Sequence, residues 1–597
     1  MKILLAACNA KYIHSNLAVY NLRAYAGEYR EHIILKEYTI NQQKDEILRD
    51  IYLEKPDIIC FSCYIWNVSF VKEIAEDLKK ILPDSVFWAG GPEVSFDAED
   101  FLKKNPGFFG VMVGEGEETF RELCRFYVDN KGNLEEIPGI AFYSGGKILH
   151  NGWREIMDLS KVPFAYENME DFRNKIVYYE SSRGCPFSCS YCLSSVDKKL
   201  RFRNLDLVKK ELQFFIDRKV PQIKFVDRTF NCKHSHAMEI WKYILEHDNG
   251  ITNFHFEISA DLLKEEELSL MEKMRPGLIQ LEIGVQSTNP ETIRAIRRTM
   301  DFERLSEIVN KVRSFGNIHQ HLDLIAGLPY ENYDSFRNSF NQVYALKPEQ
   351  LQLGFLKVLK GSLMKEMAKE YGILHKEREP YEVLSTKWLS YGDVLELKDI
   401  EEMTEVHYNS RQFTCTLKEL EKEFNTPYEM FSFMAGYYNR NYLFGISHSR
   451  IARYEILWKI IQVKLEKSGI YETHETYETY ESHETYESHA PRGTEVNPGI
   501  SEKLELYRDL LMTDLYLREN VKSRPSFARD LSSSKDFVRE FFQREEKTPE
   551  HLSGYEGYDS RQMAKMAHLE PLRDGTYLLF DYKRRDPLSN NAWILRV

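Results

Sequence analysis

The regular alternation of apolar, strand-like runs with amphipathic helical segments constrains the fold of this chain more than any other feature. Over residues 1–135, five such runs are separated by segments in which apolar residues recur every 3.6 positions. Strands and helices in strict alternation predict a parallel, doubly wound sheet covered by helices on both faces. The predicted strands are Lys2 to Ala7, His32 to Tyr38, Asp57 to Ser62, Ser85 to Ala89 and Phe109 to Val113.

A second alternating series occupies residues 171–360 and contains six predicted strands, with a helical pattern between each pair. Six consecutive strand–helix units predict a full or partial parallel barrel of the TIM type, written (β/α)6, whose chemistry lies at the carboxyl ends of the strands. The predicted strands are Ile176 to Glu180, Gln222 to Asp227, Phe254 to Ser259, Leu278 to Val285, His321 to Gly327 and Gln350 to Leu356.

The remaining segments are less regular. Residues 136–170 are predicted to form a hairpin around Ser144-Gly145-Gly146 and a linker that marks a domain boundary. Residues 361–597 have a mostly helical pattern and include a predicted disordered insert at 468–498, where an acidic repeat has no aliphatic side chains to bury. Weak metal binding by the histidines of this insert is the less favoured interpretation. The chain is therefore predicted to be a multidomain α/β protein.

Composition excludes several other classes. Hydrophobic residues make up 43% and charged residues 29% of the 597 positions, which argues against a disordered, collagenous or disulfide-scaffold protein. The net charge is -13 and no basic block stands out, so a nucleic-acid partner is unsupported. The first residues lack the pattern of a signal peptide, and no run approaches the ~18 apolar residues of a membrane span. A cytoplasmic location without membrane association is expected.

Three of the nine cysteines crowd into one short segment. Cys185, Cys189 and Cys192 have the spacing C-x3-C-x2-C and follow the first strand of the predicted barrel. Such a loop can wrap three thiolates around three corners of a [4Fe-4S] cube and leave the fourth iron open for a substrate or cofactor. The alternatives are a zinc site, which normally needs a fourth ligand, and three unrelated buried thiols. Cys60 and Cys63, at an odd separation on a predicted strand, are expected to be buried thiols on opposite faces.

The cysteine segment, with Tyr191 immediately before the third cysteine, resembles the signature of the radical S-adenosylmethionine (SAM) superfamily, and the resemblance covers about residues 170–360. It implies that Cys185, Cys189 and Cys192 hold a [4Fe-4S] cluster whose fourth iron is chelated by the amino and carboxylate groups of SAM. It also implies anaerobic, reductive cleavage of SAM to methionine and a 5'-deoxyadenosyl radical, with an electron donor such as flavodoxin or ferredoxin. Tyr191 is expected near the adenine.

Later strands carry further matches to this superfamily. Residues 282–287 are similar to its E-x-G-x-Q-S element, which implies that Glu282 and Gln286 face the SAM ribose and the radical as catalytic residues. Arg298 falls where several members carry an arginine that pairs with the SAM carboxylate, a task that suits a permanently charged, two-pronged donor. The other SAM-binding residues that the resemblance implies are Asp227, Glu257 and Asp323, the last in a D-x-x-x-G-L-P element.

The N-terminal unit resembles the Rossmann-like or flavodoxin-like cobalamin-binding domain of the B12-dependent radical SAM class, in its position and in three turns. The residues assigned to cobalamin by this resemblance are Ser62, Gly90, Gly91, Gly114 and Glu115. Small residues suit these turns because a corrin ring and its nucleotide tail need close backbone approach. The D-x-H-x-x-G element that supplies the lower cobalt ligand in many B12 enzymes is absent, and His14 is expected to be a loop or core histidine.

Together these features predict a cobalamin-dependent radical SAM enzyme that methylates or oxidatively modifies an unactivated carbon of a small-molecule substrate. One alternative is a radical SAM enzyme of the methylthiotransferase type without a functional corrin, although the lack of further clustered cysteines counts against it. The other is a non-catalytic iron–sulfur and cobalamin sensor or carrier. Within residues 361–597, the segments 507–518 and 578–582 resemble the uncharacterised extension that follows the barrel in one group of B12-type radical SAM proteins.

Overall fold

The computed structural model describes residues 1–471 and 498–597, so the body of the predicted disordered insert lies outside the described residues. The described chain divides into two compact units, residues 1–395 and 396–597. None of the described helices is long and apolar enough to cross a membrane.

A seven-stranded sheet forms the first part of unit 1. Its strands in chain order are β1 (Ile3–Asn9), β2 (Ile33–Thr39), β3 (Ile58–Ser62), β4 (Val86–Gly90), β5 (Gly110–Met112), β6 (Ile140–Ser144) and β7 (Lys147–His150). Their spatial order is β2-β1-β3-β4-β5-β6-β7, with β1 to β5 parallel and β6 and β7 antiparallel. The predicted hairpin therefore extends this sheet, because β6 pairs with β5. The order reverses between β1 and β3, which makes the sheet doubly wound with its switch point at their carboxyl ends.

Helices cover both faces of this sheet because successive strand residues point to opposite sides. Leu4 and Cys63 enter one apolar core, whereas Leu5 and Cys60 enter another. The two cysteines thus lie apart, as predicted. The helices are α1 (Leu17–Tyr25), α2 (Lys44–Glu54), α3 (Val68–Ile81), α4 (Pro92–Ser95), α5 (Ala98–Lys104) and α6 (Glu117–Asp129).

A second, six-stranded sheet follows in the same unit. The eight strands of this region, six of which form the sheet, are β8 (Val177–Tyr179), β9 (Ser182–Arg183), β10 (Arg201–Phe202), β11 (Gln222–Phe225), β12 (Asn253–Ile258), β13 (Ile279–Gln286), β14 (His319–Ala326) and β15 (Gln350–Phe355). The sheet has the order β15-β14-β13-β12-β11-β8 and is parallel throughout, while β9 and β10 form a separate antiparallel pair. This arrangement confirms the predicted partial (β/α)6 barrel. The outer strand β8 is preceded by a bridge from Ile176 to His14 of the first sheet's β1 loop.

Alternation along the strands separates the two sides of this sheet. On β13 and β14 every second residue is fully buried, and the residues between them, such as Glu282 and His321, are partly buried. The surrounding elements are α7 (Leu205–Asp217), α8 (His234–Glu246), α9 (Glu265–Met271), α10 (Pro290–Ala295), α11 (Phe302–Phe315), α12 (Tyr333–Ala345), α13 (Leu363–Met367), β16 (Leu374–His375) and β17 (Val383–Ser385).

Unit 2 is mostly helical, as predicted, and adds one small antiparallel sheet. The helices are α14 (Tyr391–Met403), which begins at the end of unit 1, α15 (Thr414–Leu420), α16 (Pro427–Arg440), α17 (Arg450–Tyr471), α18 (Pro498–Arg518), α19 (Lys535–Lys547) and α20 (Ser560–Met566). The sheet consists of β18 (Ala567–Pro571), β19 (Tyr577–Arg585) and β20 (Ala592–Arg596).

Candidate functional site

The three clustered cysteines lie in the loop between β9 and β10. Cys185 and Cys189 are buried, Cys192 is partly buried, and all three are free thiols. Main-chain bonds hold the loop: the N–H of Ser190 donates to the carbonyl of Ile296 at 2.9 Å, and the N–H of Met364 donates to the carbonyl of Ser190 at 2.7 Å. Hydrogen bonds to two other segments of the chain therefore fix the backbone of the cysteine loop at Ser190.

The electrostatic environment of Cys189 includes both of the other thiols. Burial raises the pKa of Cys189, nearby Arg298 lowers it, and the neighbouring Cys192 and Cys185 raise it further. Among the described residues, the sets that bring three ligand atoms within 4.8 Å of one another contain only His, Asp and Glu. Ligands of one tetrahedral zinc ion would lie about 3.8 Å apart for a bond of about 2.3 Å. At least one pair of the three sulfurs is therefore more than 4.8 Å apart, which argues against a single tetrahedral zinc ion.

At the carboxyl end of β13, Arg298 reaches the cysteine loop, and Gln286 lies beside Gly284, which Arg298 also contacts. Arg298 places one guanidinium nitrogen 3.9 Å from the sulfur of Cys189, and a second one donates to the carbonyl of Gly284. Gln286 follows a bulge in β13, has a positive φ of 74°, and folds its amide back over Gly284. The buried Oε1 of Gln286 and Nε of Arg298 have no hydrogen-bond partner among the described residues. Buried polar atoms rarely lack a hydrogen-bond partner. One of these atoms is an acceptor and the other a donor, so both could bond to polar groups of a bound molecule such as SAM. Tyr191 lies beside Arg298 and Cys189. Burial raises the pKa of Tyr191, Arg298 lowers it, and Cys189 raises it.

A row of charged side chains crosses the interior of the second sheet. Glu257, Glu282 and His321 are register partners on β12, β13 and β14. Glu282 accepts hydrogen bonds of 2.9 Å from both Lys224 and His255. Burial alone would raise the pKa of Glu282, but these two partners lower it well below its usual range. Glu282 is therefore held as a carboxylate.

Glu257 and Asp323 behave differently from Glu282. Burial raises the pKa of Glu257 to about 7, although Arg228 opposes this. Burial also raises the pKa of Asp323, whose Oδ1 lies 3.1 Å from Nε2 of His321. Burial thus favours the protonated forms of Glu257 and Asp323, whereas the hydrogen bonds to Glu282 favour its carboxylate.

Sequence reasoning missed three members of this interior group, namely Lys224, His255 and His321. Each lies on a predicted strand, next in sequence to fully buried residues, so its side chain points to the opposite face of the sheet. Strand periodicity, applied to all four strands at once, could have found them.

Asp227, expected to contact SAM, is fully engaged with the start of the cysteine loop. Its carboxylate accepts hydrogen bonds from the N–H and hydroxyl of Ser181 at 2.9 and 2.7 Å and from the hydroxyl of Ser182 at 2.6 Å. It is 1% exposed, and burial raises its pKa to about 6. The structure therefore gives Asp227 the geometry of a residue that positions the loop.

The residues assigned to cobalamin lie at the carboxyl edge of the first sheet. Gly91 has a φ of 113°, and a Cβ there would lie 2.4 Å from the carbonyl of Cys63. Ser62 ends β3 beside the switch point, where its hydroxyl accepts a hydrogen bond of 3.3 Å from Asn16. On the same edge, the exposed ring of Trp66 stacks on the half-buried ring of Tyr64, with centroids 4.4 Å apart. A compact glycine turn beside stacked aromatic side chains fits a large, flat cofactor such as cobalamin.

Glu115 occupies a different environment from the glycines. Its Oε1 lies 3.1 Å from Arg183 and 2.6 Å from Arg201, and its Oε2 accepts a hydrogen bond of 3.2 Å from the N–H of Met157. Arg183 also pairs with Glu117 at 2.8 Å. The loop after β5 is thus tied by charge to the segment that carries the cysteines.

Comparison with known families assigns each part of the chain. Residues 3–124 match the B12 binding domain, residues 179–343 the radical SAM superfamily, and residues 369–591 a family described as protein of unknown function (DUF4080). The fold and the three-cysteine loop therefore define a radical SAM protein with a B12-binding domain. More particularly, this chain combines those two domains with a C-terminal DUF4080 domain.

Curated relatives match part of the chain. The cobalamin-dependent radical SAM methyltransferase TokK of Streptomyces tokunonensis is 24% identical over 341 residues, 53% of this chain and 50% of that protein. The hopanoid C-3 methylase of Methylococcus capsulatus is 28% identical over 296 residues, 47% of this chain and 55% of that protein. The chain spans about half the length of these curated relatives. The solved structure of the cobalamin-dependent SAM radical enzyme OxsB with aqua-cobalamin and SAM shares the fold, with a TM-score of 0.57 and 15% identity over 79% of each chain.

Proposed function

We propose that this chain is a cobalamin-dependent radical SAM enzyme that modifies an unactivated carbon of a small-molecule substrate. The observation that carries the proposal is the meeting of the cysteine loop, Arg298 and Gln286 at one end of β13, in a unit whose first sheet matches the B12 binding domain. The names of the relatives support methyl transfer ahead of cyclisation or another oxidative change.

Each residue near the cysteine loop has a task that its geometry supports. Cys185, Cys189 and Cys192 would hold a [4Fe-4S] cluster and leave one iron for SAM. The guanidinium of Arg298 would donate to the SAM carboxylate, and the unpartnered Oε1 of Gln286 would accept from a hydroxyl of the ribose. When bound, these cofactors supply a 5'-deoxyadenosyl radical for hydrogen abstraction and a methyl group for transfer.

The protein contributes position and proton control. Asp227 fixes the start of the cysteine loop through Ser181 and Ser182. Glu282 stays ionised between Lys224 and His255, whereas Glu257 can carry a proton at neutral pH. An electron donor such as flavodoxin or ferredoxin is part of the proposal, because reductive cleavage of SAM requires one.

The test is anaerobic reconstitution with iron and sulfide, followed by SAM and dithionite. Release of 5'-deoxyadenosine supports the enzyme, whereas an intact cluster that never cleaves SAM would favour a sensor or carrier. Incubation with hydroxocobalamin, followed by gel filtration and a visible spectrum, tests the B12 half. A chain that cleaves SAM but retains no corrin would be a radical SAM enzyme with a vestigial first domain.

A further inference from the structure

A rigidly held, exposed tryptophan stands beside the glycine turns of the first sheet. Trp153 is 53% exposed. A Cβ on Gly114 would lie 2.9 Å from its indole, so the ring passes directly over the turn after β5. Phe96, which follows α4, packs against the same indole with ring centroids 5.5 Å apart. Trp153 therefore lies where the loops after β4 and β5 meet.

These two loops are themselves joined under the ring. The hydroxyl of Ser95 donates to the carbonyl of Gly91 at 2.8 Å and accepts from the N–H of Gly114 at 3.2 Å. The glycines assigned to cobalamin and the indole of Trp153 thus belong to one continuous patch.

The backbone around Trp153 is pinned on both sides. Before it, the Asn151 side chain donates to the carbonyls of Leu134 and Ile137 at 2.7 and 2.8 Å. After it, Arg154 donates to the hydroxyl of Thr119 at 3.0 Å and to the carbonyl of Pro138 at 3.2 Å. An exposed aromatic ring whose backbone is already fixed loses little entropy when a flat ligand covers it.

We infer that Trp153 is the stacking surface for the aromatic base of the cobalamin nucleotide tail. The inference rests on the proposed binding of cobalamin and names a residue that the glycine turns alone do not indicate. Another exposed ring on this edge, Trp66, already stacks on Tyr64 with an interplanar angle of 9°, so one of its faces is covered. Trp153 lies over the turn at Gly114 and against the tilted ring of Phe96, at 45°, and still keeps about half of its surface open.

The test compares two probes, hydroxocobalamin and cobinamide, which has the corrin but lacks the nucleotide base. Affinities of the full chain are measured by equilibrium dialysis for wild type, Trp153→Ala and Trp153→Phe. Because base stacking on an aromatic side chain changes affinity by roughly 5-fold to 100-fold, we expect Trp153→Ala to weaken cobalamin binding by that factor and to leave cobinamide binding unchanged. Trp153→Phe should restore much of the loss. Trp593→Ala, equally exposed at 53% but in unit 2, is the matched control.

Each other outcome counts against the inference. Equal losses for both probes in Trp153→Ala would show a general effect on the first domain, and unchanged affinities would show that the indole is not used. If wild type binds neither probe, the proposed cobalamin function fails and the inference fails with it. If wild type binds both probes equally, the function stands and the stacking role alone is overturned.

Discussion

Two buried polar atoms, Oε1 of Gln286 and Nε of Arg298, have no partner among the described residues. Their side chains are nevertheless fixed, Gln286 by its bulge and Arg298 by the carbonyl of Gly284. A buried polar atom without a hydrogen-bond partner destabilises the folded protein, and a ligand that forms the missing hydrogen bond removes this cost. At the scale of the residue, these two atoms are candidates for hydrogen bonds to a bound ligand.

The cysteine assignment leads to the first prediction. Cys189→Ala should lose most of the iron of the reconstituted protein, because two thiolates cannot hold the cluster that three can. The measurement is iron per chain together with the visible absorbance of the cluster. Cys63→Ala removes an equally buried thiol from the core of the first sheet and should keep full iron content. Full iron in the Cys189 variant would contradict the ligand assignment.

A second prediction concerns Glu331, which is 1% exposed and accepts hydrogen bonds from Ser287 and Ser339 at 2.6 and 3.0 Å. Burial raises its pKa to about 7, and the two hydroxyls offset this only in part. A carboxyl group with a raised pKa binds its proton more tightly in the folded state, so its contribution to stability is present below about pH 4.5 and is lost as the pH rises to about 7.

Glu331→Gln should therefore match wild type near pH 4 and become more stable than wild type at pH 8, by up to about 3 kcal/mol. Thermal unfolding midpoints across this range provide the measurement. Glu307→Gln, at an exposed site, is the control and should show no such divergence. A constant difference between Glu331→Gln and wild type would mean that the carboxyl group is not buried as described.

At the scale of the element, the turn between β4 and α4 is packed closely against the end of β3. The N–H of Cys63 donates to the carbonyl of Gly90 at 2.7 Å, and Gly91 lies against the carbonyl of Cys63. Only glycine combines this positive φ with so close an approach. The turn thereby brings β3 and β4 together at the edge assigned to cobalamin.

Gly91→Ala should lower the unfolding free energy by well over the ~1 kcal/mol of an ordinary positive-φ alanine, because its Cβ also meets backbone. Gly146→Ala is the matched control, since Gly146 has a φ of 80° and a Cβ added there would have no heavy atom within 4 Å. Thermal unfolding and hydroxocobalamin retention are measured for both. Equal, small losses in the two variants would refute the close approach at Gly91.

At the scale of the whole molecule, unit 1 places the carboxyl edge of its first sheet against the cysteine segment of its second. Arg183 pairs with Glu115, Glu117 and Glu180 at 2.7 to 3.1 Å, and Arg201 adds a further pair to Glu115. Arg183 is 19% exposed and Glu117 is 7% exposed as side chains. Partly buried pairs of this kind are costly to break, because each partner is then left as an uncompensated charge.

A double-mutant cycle of Arg183→Gln and Glu117→Gln should give a coupling energy of about 1 kcal/mol or more. The exposed pair Arg304 and Glu307, 3.1 Å apart, should couple by about 0.5 kcal/mol or less. Unfolding free energies of the full chain supply the values. A coupling for the first pair as small as that for the control would show that charge does not hold these segments together.

The strands of both sheets could be predicted from sequence because their apolar residues follow a local pattern, which in β12 and β14 is strict alternation with polar residues. The cysteine loop was predictable for a similar reason, since its spacing is local. The pairing of Glu115 with Arg201 was not, because the two residues are 86 positions apart and meet only when two sheets dock. The same holds for Trp153, whose exposure depends on the course of a linker.

The bridge between His14 and Ile176 has one more consequence. β8 is an outer strand of its sheet among the described residues, and such strands offer unpaired main-chain groups to other molecules. The N–H of Ile176 is already taken, at 2.7 Å, by the carbonyl of Ile13. The loop after β1 thus covers the start of this sheet edge. A chain without the first domain would expose the edge, and we expect such a chain to self-associate.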